Sequence, residues 1–362
     1  MIWKGKERKL ILSSGCEYIG YGFGADEGNR VAELVFNTSP VGYQEILSDP
    51  SYTDQFVVMA YPLIGNYGIN DDDFETARPT IGGFVVRDYN DMPSNFRSRR
   101  TLGETMRELG IPGITGVDTR EIVRKIRREG TMKALLTDAE MSLSEGLEIL
   151  GETNIPHDAV SQVSRAHREN FISMNAKYHI AAVDFGMKEN IIRSFLARGV
   201  SVTVFPWNVS AEEVMGVRPD GLFLSNGPGD PEDVPEGAEL VRRMRGRCPI
   251  FGICLGHQII SLACGGATYK LKFGHRGGNH PVRDLRTGRI EITSQNHSYA
   301  VDEKSLAGTG LVVTHRNILD GTVEGVACEK DRIFSVQYHP ESSPGPHDAA
   351  HLFDEFLGLM GR

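Results

Sequence analysis

The sequence has few cysteines, and none of them is paired in a CxxC motif. The five are Cys16, Cys248, Cys254, Cys264 and Cys328. Small secreted domains usually carry an even framework of cysteines that form disulfides, which this spacing does not offer. Free thiols in a reducing compartment are therefore expected. The amino-terminal segment MIWKGKERKL also lacks the apolar core of a signal peptide, so we expect a cytoplasmic protein.

The sequence has fewer positively charged than negatively charged residues. The 362 residues include 39 lysines and arginines against 48 aspartates and glutamates, which gives a formal net charge of −9. Nucleic acids and membrane surfaces are themselves anionic, so this balance argues against general binding to either. We expect no nucleic-acid partner and no membrane partner. A small-molecule enzyme or a protein that binds another protein is favoured.

Long hydrophobic runs are also scarce, and one uncharged stretch needs an explanation. Residues 248–269 contain no Asp, Glu, Lys or Arg over 22 residues, which is nominally long enough for a transmembrane helix. The proline, glycines, glutamine and histidine in this stretch instead predict a buried strand, a tight turn and a helix. We therefore expect no membrane span.

The local patterns change along the chain, and the length predicts two domains. Residues 1–150 show strand-like patterns, with helices predicted after capping patterns at Asp118 and Ser142. Residues 151–177 are polar without strong periodicity, which predicts an interdomain connection. Residues 178–362 alternate strands and helices. We predict a β-rich α+β domain followed by an α/β domain with a mostly parallel sheet flanked by helices.

The centre of the uncharged stretch reads PIFGICLGHQII, with Cys254 between Gly252 and Gly256. A strand that ends, presents one side chain and begins a helix at once is a nucleophile elbow, here GxCxG. Glycines are needed where neighbouring backbones come too close for a Cβ. The helix amino terminus would favour a negatively charged sulfur, and the Leu255 amide would face the oxyanion of an attacked acyl group. The alternative is a buried cysteine that acts only as a small hydrophobe.

A thiolate nucleophile needs a histidine to manage protons and an acceptor to orient that histidine. Both occur in His339-Pro340-Glu341, where the proline favours an extended backbone that projects His339 and Glu341 to the same side. The glycine-rich loop 225–231 follows another predicted strand and would supply a second oxyanion donor. The alternative for both segments is an ordinary surface turn.

Taken in their order along the chain, the three motifs resemble the class I, or triad, glutamine amidotransferases, whose signature is a GxCxGHQ elbow with a downstream HPE. Further segments resemble the small, glutamine-hydrolysing subunit of carbamoyl-phosphate synthetase. These segments are FNTSPVGYQEILSDPSY, YPLIGNYGIN, LKFGHRGGNHPV and SQNHSYAV. The resemblance covers essentially the whole chain, and its amino-terminal part is absent from other amidotransferases of the class.

The resemblance implies that L-glutamine is hydrolysed to glutamate and ammonia, and that a large synthetase subunit uses the ammonia to make carbamoyl phosphate from bicarbonate and ATP. It implies Cys254 as nucleophile, His339 as acid and base, and Glu341 as the partner that orients His339. The implied glutamine contacts are Ser51, Gly227, Gly229, Leu255, Gln258, Asn296, Ser298 and Tyr299. Ser51 would be contributed by the amino-terminal domain, which we also expect to form much of the contact with the large subunit. Ser298 departs from the family, which usually has glycine there.

No cofactor is expected in this chain, because the sequence has no GxxxxGK[ST] phosphate loop. ATP with Mg is expected in the large subunit instead. His347 and His351 are four residues apart on the last predicted helix, His347–Met360, but no third ligand follows at a typical spacing. We therefore expect no metal.

Two other functions stay open from the sequence. One is a regulatory subunit whose triad is inactive, against which the intact Cys254, His339 and Glu341 argue. The other is an independent hydrolase of γ-glutamyl compounds that has no partner. Tight association with a large chain that uses ATP would distinguish the synthetase subunit from this hydrolase.

Overall fold

The computed structural model describes residues 5–26 and 28–361. The chain divides into two compact units, with the boundary between Pro156 and His157. Among the described residues, no helix is both long and apolar enough to cross a membrane.

The first unit is built around a closed barrel in which the strand order is β1-β2-β8-β6-β4-β3-β9. Short strands β5 and β7 pair separately. The strands are β1 (Glu7–Leu12), β2 (Glu17–Gly24), β3 (Arg30–Asn37), β4 (Gln55–Met59), β5 (Leu63–Ile64), β6 (Gly83–Val85), β7 (Asp88–Tyr89), β8 (Pro112–Thr115) and β9 (Met132–Asp138). The α-helices are α1 (Tyr43–Ser48), α2 (Leu102–Glu108), α3 (Thr119–Glu129) and α4 (Leu143–Glu152).

Local sequence explains where the helices of this unit begin. The Asp118 side chain accepts a hydrogen bond from the backbone N–H of Glu121 at the start of α3. Ser142 and Glu145 form a reciprocal capping box at the start of α4. Both predicted starts are confirmed. Helix α4 covers part of the barrel, where Ile11 packs with Leu135 and Leu150.

The second unit contains one sheet with the strand order β10-β12-β11-β13-β14-β19-β18-β16-β15-β17. Its strands are β10 (Glu169–Phe171), β11 (Tyr178–Asp184), β12 (Val200–Pro206), β13 (Gly221–Leu224), β14 (Ile250–Ile253), β15 (Thr268–Asp284), β16 (Ile290–Val301), β17 (Val312–Asn317), β18 (Val323–Cys328) and β19 (Ile333–Val336). Its α-helices are α5 (Ala159–Val163), α6 (Glu189–Leu196), α7 (Ala211–Gly216), α8 (Pro235–Met244), α9 (Leu255–Ala263) and α10 (His351–Met360).

The central strands β12, β11, β13, β14 and β19 are parallel, and antiparallel strands extend the sheet on both sides. Apolar clusters pack on the two faces of this sheet, one around α8 and α9 and the other around α6 and α10. The predicted α/β arrangement with flanking helices is confirmed. Because β13, β14 and β19 are neighbours, the loops after their carboxyl ends meet at one edge of the sheet.

Two elements differ from the sequence prediction. Segment 151–177 was predicted as a connection, but α5 and β10 lie in it, and β10 pairs with β12. Strand β10 is a short, largely exposed edge strand, so it carries no strong apolar periodicity. The last helix begins at His351 and not at His347, because turn-type hydrogen bonds such as Ala350 N–H to His347 O precede it.

Candidate active site

Cys254 lies at a sharp turn between β14 and α9. Its backbone has φ 53° and ψ −103°, a conformation that non-glycine residues rarely adopt. A Cβ on Gly256 would lie 2.3 Å from the Leu224 carbonyl oxygen, and a Cβ on Gly252 would lie 2.7 Å from the Gly256 backbone. The strand, turn and helix predicted for the uncharged stretch are confirmed, and steric crowding explains both glycines.

The Cys254 sulfur is almost completely buried and lies between β16 and the end of β19. The thiol donates to the Asn296 carbonyl oxygen at 3.6 Å, and the Gln337 Nε2 amide donates to the sulfur at 3.6 Å. These weak contacts come from residues far away in sequence. They hold the side chain at the amino terminus of α9, where backbone dipoles favour negative charge.

His339 and Glu341 lie just after β19 and form the pair that their spacing predicted. The His339 Nδ1 atom is 2.7 Å from the Glu341 Oε1 atom, and both side chains are buried. Among the described residues, no hydrogen bond of normal geometry reaches the other ring nitrogen, Nε2. That nitrogen is therefore available for proton transfer at the sulfur side of the ring.

Lys188 is a third member of this chain of contacts, and sequence reasoning missed it. It lies between β11 and α6, and its Nζ atom donates to Glu341 Oε1 at 3.0 Å and to the Ser342 carbonyl oxygen. Its position after the carboxyl end of a central strand is the sequence feature that indicates a functional role, because functional groups of α/β domains lie there. A buried lysine almost always needs an anionic partner, which Glu341 supplies.

The electrostatics of the three groups are mutually dependent. Burial lowers the pKa of His339, but the Glu341 carboxylate and the Cys254 sulfur outweigh burial and raise that pKa to about 10. Burial raises the pKa of Glu341, but Lys188 and His339 outweigh it and lower that pKa to about 2. The geometry therefore favours an ionised Glu341 that supports a positively charged imidazole.

The glycine-rich loop after β13 lies directly beside the elbow. The Gly256 N–H donates to the Ser225 carbonyl oxygen at 3.0 Å. A Cβ on Gly227 would lie 2.2 Å from the Phe185 carbonyl oxygen and 2.9 Å from a side-chain carbon of Leu255. Gly229 has φ 88°, which favours glycine. The sequence-predicted residues Gly227, Gly229 and Leu255 thus lie around one turn.

Strand β16 brings the next group of predicted contacts to the same edge. The Gln258 Nε2 amide donates to the Tyr299 carbonyl oxygen at 2.9 Å and to Gln337 Oε1 at 3.0 Å. Asn296 contacts Cys254 through its carbonyl oxygen. The Ser298 hydroxyl, which replaces the usual family glycine, accepts from Arg276 Nη2 at 2.5 Å. The serine therefore holds a neighbouring arginine.

Ser51 belongs to the first unit and is described there. It lies in the short 3-10 helix Pro50–Tyr52, and its N–H donates to Asp49 Oδ1 at 2.9 Å. Its side chain is 7% exposed. Its predicted contact with glutamine stays a prediction.

The described residues that could hold a metal ion lie elsewhere in the second unit. His347 lies outside helix α10, so His347 and His351 are not one helical turn apart. In the described part of the chain, His275, His297 and Glu324 are the residues whose donor atoms all lie within 4.8 Å of one another. No sequence spacing indicates this group, because strand pairing brings its members together.

Two different family models match the two parts of the chain. A family model described as glutamine amidotransferase class-I matches residues 181–359. A second, described as carbamoyl-phosphate synthase small chain, CPSase domain, matches residues 10–136. The predicted resemblance is confirmed for both parts of the chain.

Similar proteins match over nearly the full length. The carbamoyl phosphate synthase small chain of Fusobacterium nucleatum is 52% identical over 350 residues, which cover 97% of this chain and 97% of that protein. That of Bacillus caldolyticus is 52% identical over 354 residues, covering 98% and 96%. The carbamoyl phosphate synthase pyrimidine-specific small chain of Halalkalibacterium halodurans is 51% identical over 354 residues, covering 98% and 97%.

The chain is thus similar to these proteins over nearly its full length. It also has a buried cysteine, histidine and glutamate at one edge of the sheet in its second unit. The chain therefore belongs to the carbamoyl phosphate synthase small-chain family, and its second unit is a class I glutamine amidotransferase domain.

Proposed function

We propose that this chain hydrolyses L-glutamine to glutamate and ammonia, and that the ammonia passes to a large synthetase chain. The large chain would hold ATP with Mg and make carbamoyl phosphate from bicarbonate. The observation that supports this most is the buried sequence of contacts from Lys188 through Glu341 to His339, close to the strained Cys254. The free-thiol spacing of the cysteines supports a cytoplasmic location.

The first half of the proposed reaction forms a thioester. The Cys254 thiolate attacks the side-chain amide carbon of glutamine, and a carbon–sulfur bond forms as the carbonyl oxygen becomes an oxyanion. The Leu255 N–H and an amide of the loop containing Gly227 and Gly229 would stabilise that oxyanion. The His339 imidazolium gives its proton to the amide nitrogen, the carbon–nitrogen bond breaks, and ammonia leaves.

The second half hydrolyses the γ-glutamyl thioester. A water molecule gives a proton to the now neutral His339 and its oxygen attacks the thioester carbon. The carbon–sulfur bond breaks, glutamate leaves, and the thiolate and imidazolium are restored. Glu341 keeps His339 in one orientation through both halves, and Lys188 keeps Glu341 ionised.

The substrate would be bound beside the sulfur by Gln258, Asn296, Ser298 and Tyr299. Ser51 of the first unit would contribute a further contact with glutamine. Backbone and amide groups suit this role because the α-amino and α-carboxyl groups of glutamine need donors and acceptors at fixed positions. Since Ser298 already accepts from Arg276, its contribution would come mainly through its backbone.

The test is active-site labelling together with glutaminase assays. A glutamine-like chloroketone should label wild-type protein with one equivalent and fail to label Cys254→Ser. That variant should lose glutamine hydrolysis, whereas Cys264→Ser, which changes a partly buried cysteine after α9, should keep it. Wild-type protein without glutaminase activity would favour an inactive regulatory subunit.

The partner is tested separately. The full chain should co-purify with a large chain that uses ATP, and the Cys254→Ser complex should still make carbamoyl phosphate from added ammonia. Glutaminase activity without any such association would favour an independent hydrolase of γ-glutamyl compounds.

A further inference from the structure

Two histidines and a glutamate form a buried cluster on the antiparallel side of the second unit's sheet. His275 on β15 is directly paired with His297 on β16, and their ring centroids are 4.9 Å apart. Glu324 lies on β18. The exposed fractions of the three residues are 7%, 4% and 0%, so water does not solvate their polar atoms to any extent. These polar atoms therefore need partners within the protein that neutralise and orient them.

His275 has one ring nitrogen bonded and one free of any normal hydrogen bond. Its Nε2 atom lies 2.8 Å from Asp320 Oδ2. Its Nδ1 atom makes no hydrogen bond of normal geometry to any described residue, and Glu324 Oε1 is 3.5 Å away. In metal sites, a histidine usually contacts a carboxylate through one ring nitrogen and binds the metal through the other. His275 has this arrangement, with Nε2 at Asp320 and Nδ1 available for a metal.

His297 meets an acceptor at each of its ring nitrogens. Its Nδ1 atom is 2.7 Å from the Tyr299 carbonyl oxygen, so Nδ1 carries a hydrogen. Its Nε2 atom is 3.2 Å from Gln295 Oε1, which is also an acceptor. A positively charged ring would donate to both acceptors, but His297 is buried and a charge there would be costly. A neutral ring leaves two lone pairs facing each other.

Rotating the Gln295 amide does not relieve this conflict. Its Nε2 atom donates to Glu324 Oε2 at 3.0 Å, so a rotated amide would place its oxygen against that carboxylate. A cation between His297 Nε2, Gln295 Oε1 and Glu324 would satisfy all the acceptors at once.

Glu324 also requires positive charge. Asn317 Nδ2 and Thr322 Oγ1 donate to its Oε1 atom at 3.3 and 3.2 Å, but neither group is charged. A fully buried carboxylate is costly unless it is paired or binds a metal. Glu324 therefore needs a cation or a protonated neighbour close to its oxygens.

We propose that His275 Nδ1, His297 Nε2 and Glu324 Oε1 bind one zinc ion, with Gln295 Oε1 as a fourth oxygen donor. Two imidazole nitrogens and a carboxylate oxygen are ligands that Zn²⁺ takes in proteins. One donor atom from each of His275, His297 and Glu324 lies within 4.8 Å of the other two. Asp320 and the Tyr299 carbonyl fix the tautomers of the two histidines from behind, as outer contacts do in metal sites.

The site would tie together strands β15, β16 and β18. Tyr299 O accepts from His297 Nδ1 and also from Gln258 Nε2, so the metal would hold a carbonyl that also orients Gln258. Its role is structural and does not depend on glutamine hydrolysis. The competing way to neutralise Glu324 is a proton on His275.

The test uses the full chain, stripped of metal with a chelator and then titrated with Zn²⁺ alone or Co²⁺ alone. We expect one equivalent of Zn²⁺ by elemental analysis, and a Co²⁺ spectrum with nitrogen and oxygen ligands and no thiolate charge-transfer band. Diffraction at the zinc edge should give an anomalous peak between His275, His297 and Glu324.

Variants identify the ligands. His275→Asn and Glu324→Gln should weaken Zn²⁺ binding by at least about tenfold, and Asp320→Asn by roughly 10–100-fold. His315→Asn removes another buried histidine of the same sheet and should leave Zn²⁺ binding unchanged.

Three results would overturn the proposal: wild-type protein that takes up no Zn²⁺, Zn²⁺ binding that is unchanged in folded His275→Asn and Glu324→Gln, or a Co²⁺ spectrum with thiolate bands. If those variants do not fold, the anomalous peak in wild-type crystals decides, and a peak only at cysteines counts against the site. Wild-type protein without metal would leave the proton on His275 as the group that neutralises Glu324.

Discussion

At the scale of single residues, the central feature is a fully buried carboxylate with two basic partners. One carboxylate oxygen of Glu341, Oε1, contacts both His339 Nδ1 and Lys188 Nζ. Removing one partner of a buried ion pair leaves an uncompensated charge, which is far more costly than the pair itself is stabilising. Lys188 is therefore expected to matter for His339 through Glu341, to which it donates a hydrogen bond.

The first prediction concerns Lys188. In Lys188→Met, Glu341 is held less firmly, and we expect kcat for glutamine hydrolysis to fall roughly 10²-fold through misplacement of His339. Lys177→Met, which changes an exposed lysine, should leave kcat unchanged. The measurement is steady-state glutaminase kinetics with a circular dichroism check on folding. Full activity in a folded Lys188→Met protein would show that Glu341 needs no second partner.

The second prediction concerns the pH dependence of stability. The pKa of His339 is raised in the folded chain, to about 10, so its interaction with Glu341 stabilises the fold fully below the ordinary histidine pKa of roughly 6.5. This stabilisation should be lost as the pH rises towards 10. The free energy of unfolding of wild type minus that of His339→Gln should therefore shrink between about pH 6.5 and 10. Urea titrations at a series of pH values measure it, and a constant difference would contradict the raised pKa.

At the scale of elements, the strand, turn and helix around Cys254 are fixed by backbone crowding. Two glycines flank the nucleophile because a side chain on either would collide with backbone atoms. The same argument explains why the loop after β13 has glycine at position 227, where it passes Phe185. Positions of this kind tolerate no Cβ whatever its polarity.

The third prediction tests this crowding. Gly256→Ala places a Cβ 2.3 Å from the Leu224 carbonyl oxygen and should destabilise the fold by about 1–3 kcal/mol and abolish labelling of Cys254. Gly358→Ala, in open space on helix α10, should instead stabilise the protein by about 0.5–1 kcal/mol. Denaturant unfolding of both variants provides the comparison. Equal effects would mean that the close contact at the elbow relaxes easily.

At the scale of the whole molecule, both units carry strongly exposed apolar side chains. Phe96 in the first unit is 96% exposed, and Met92 on the same loop is 68% exposed. Exposed aromatic groups are expensive to leave in water and often anchor protein interfaces. The first domain is expected to form much of the contact with the large subunit, and this contact stays a prediction.

The fourth prediction addresses this surface. Phe96→Asp should weaken association with the large chain by at least about tenfold, since truncated anchor residues commonly cost over 1.4 kcal/mol. Met174→Asp is matched in exposure at 98% but lies in the second unit, and it should leave association unchanged. Pull-down and interferometry measure the difference. Weaker association in Met174→Asp alone would place the contact in the second unit.

The sequence by itself determined what depends on neighbouring residues. The elbow follows from glycines two residues either side of Cys254, and the His339–Glu341 pair follows from a spacing of two along an extended backbone. Capping residues marked the starts of α3 and α4 in the same way. Such features are predictable because steric limits and short hydrogen bonds act within one turn or a few residues of strand.

The tertiary structure decided which distant residues share one environment. Lys188 reaches Glu341 across 153 positions, and Gln337 reaches Cys254 across 83. The cluster of His275, His297 and Glu324 exists only because strands β15, β16 and β18 lie in one sheet. These contacts depend on strand order and register, which are set by burial of the whole apolar surface and therefore cannot be found in any short stretch of the chain.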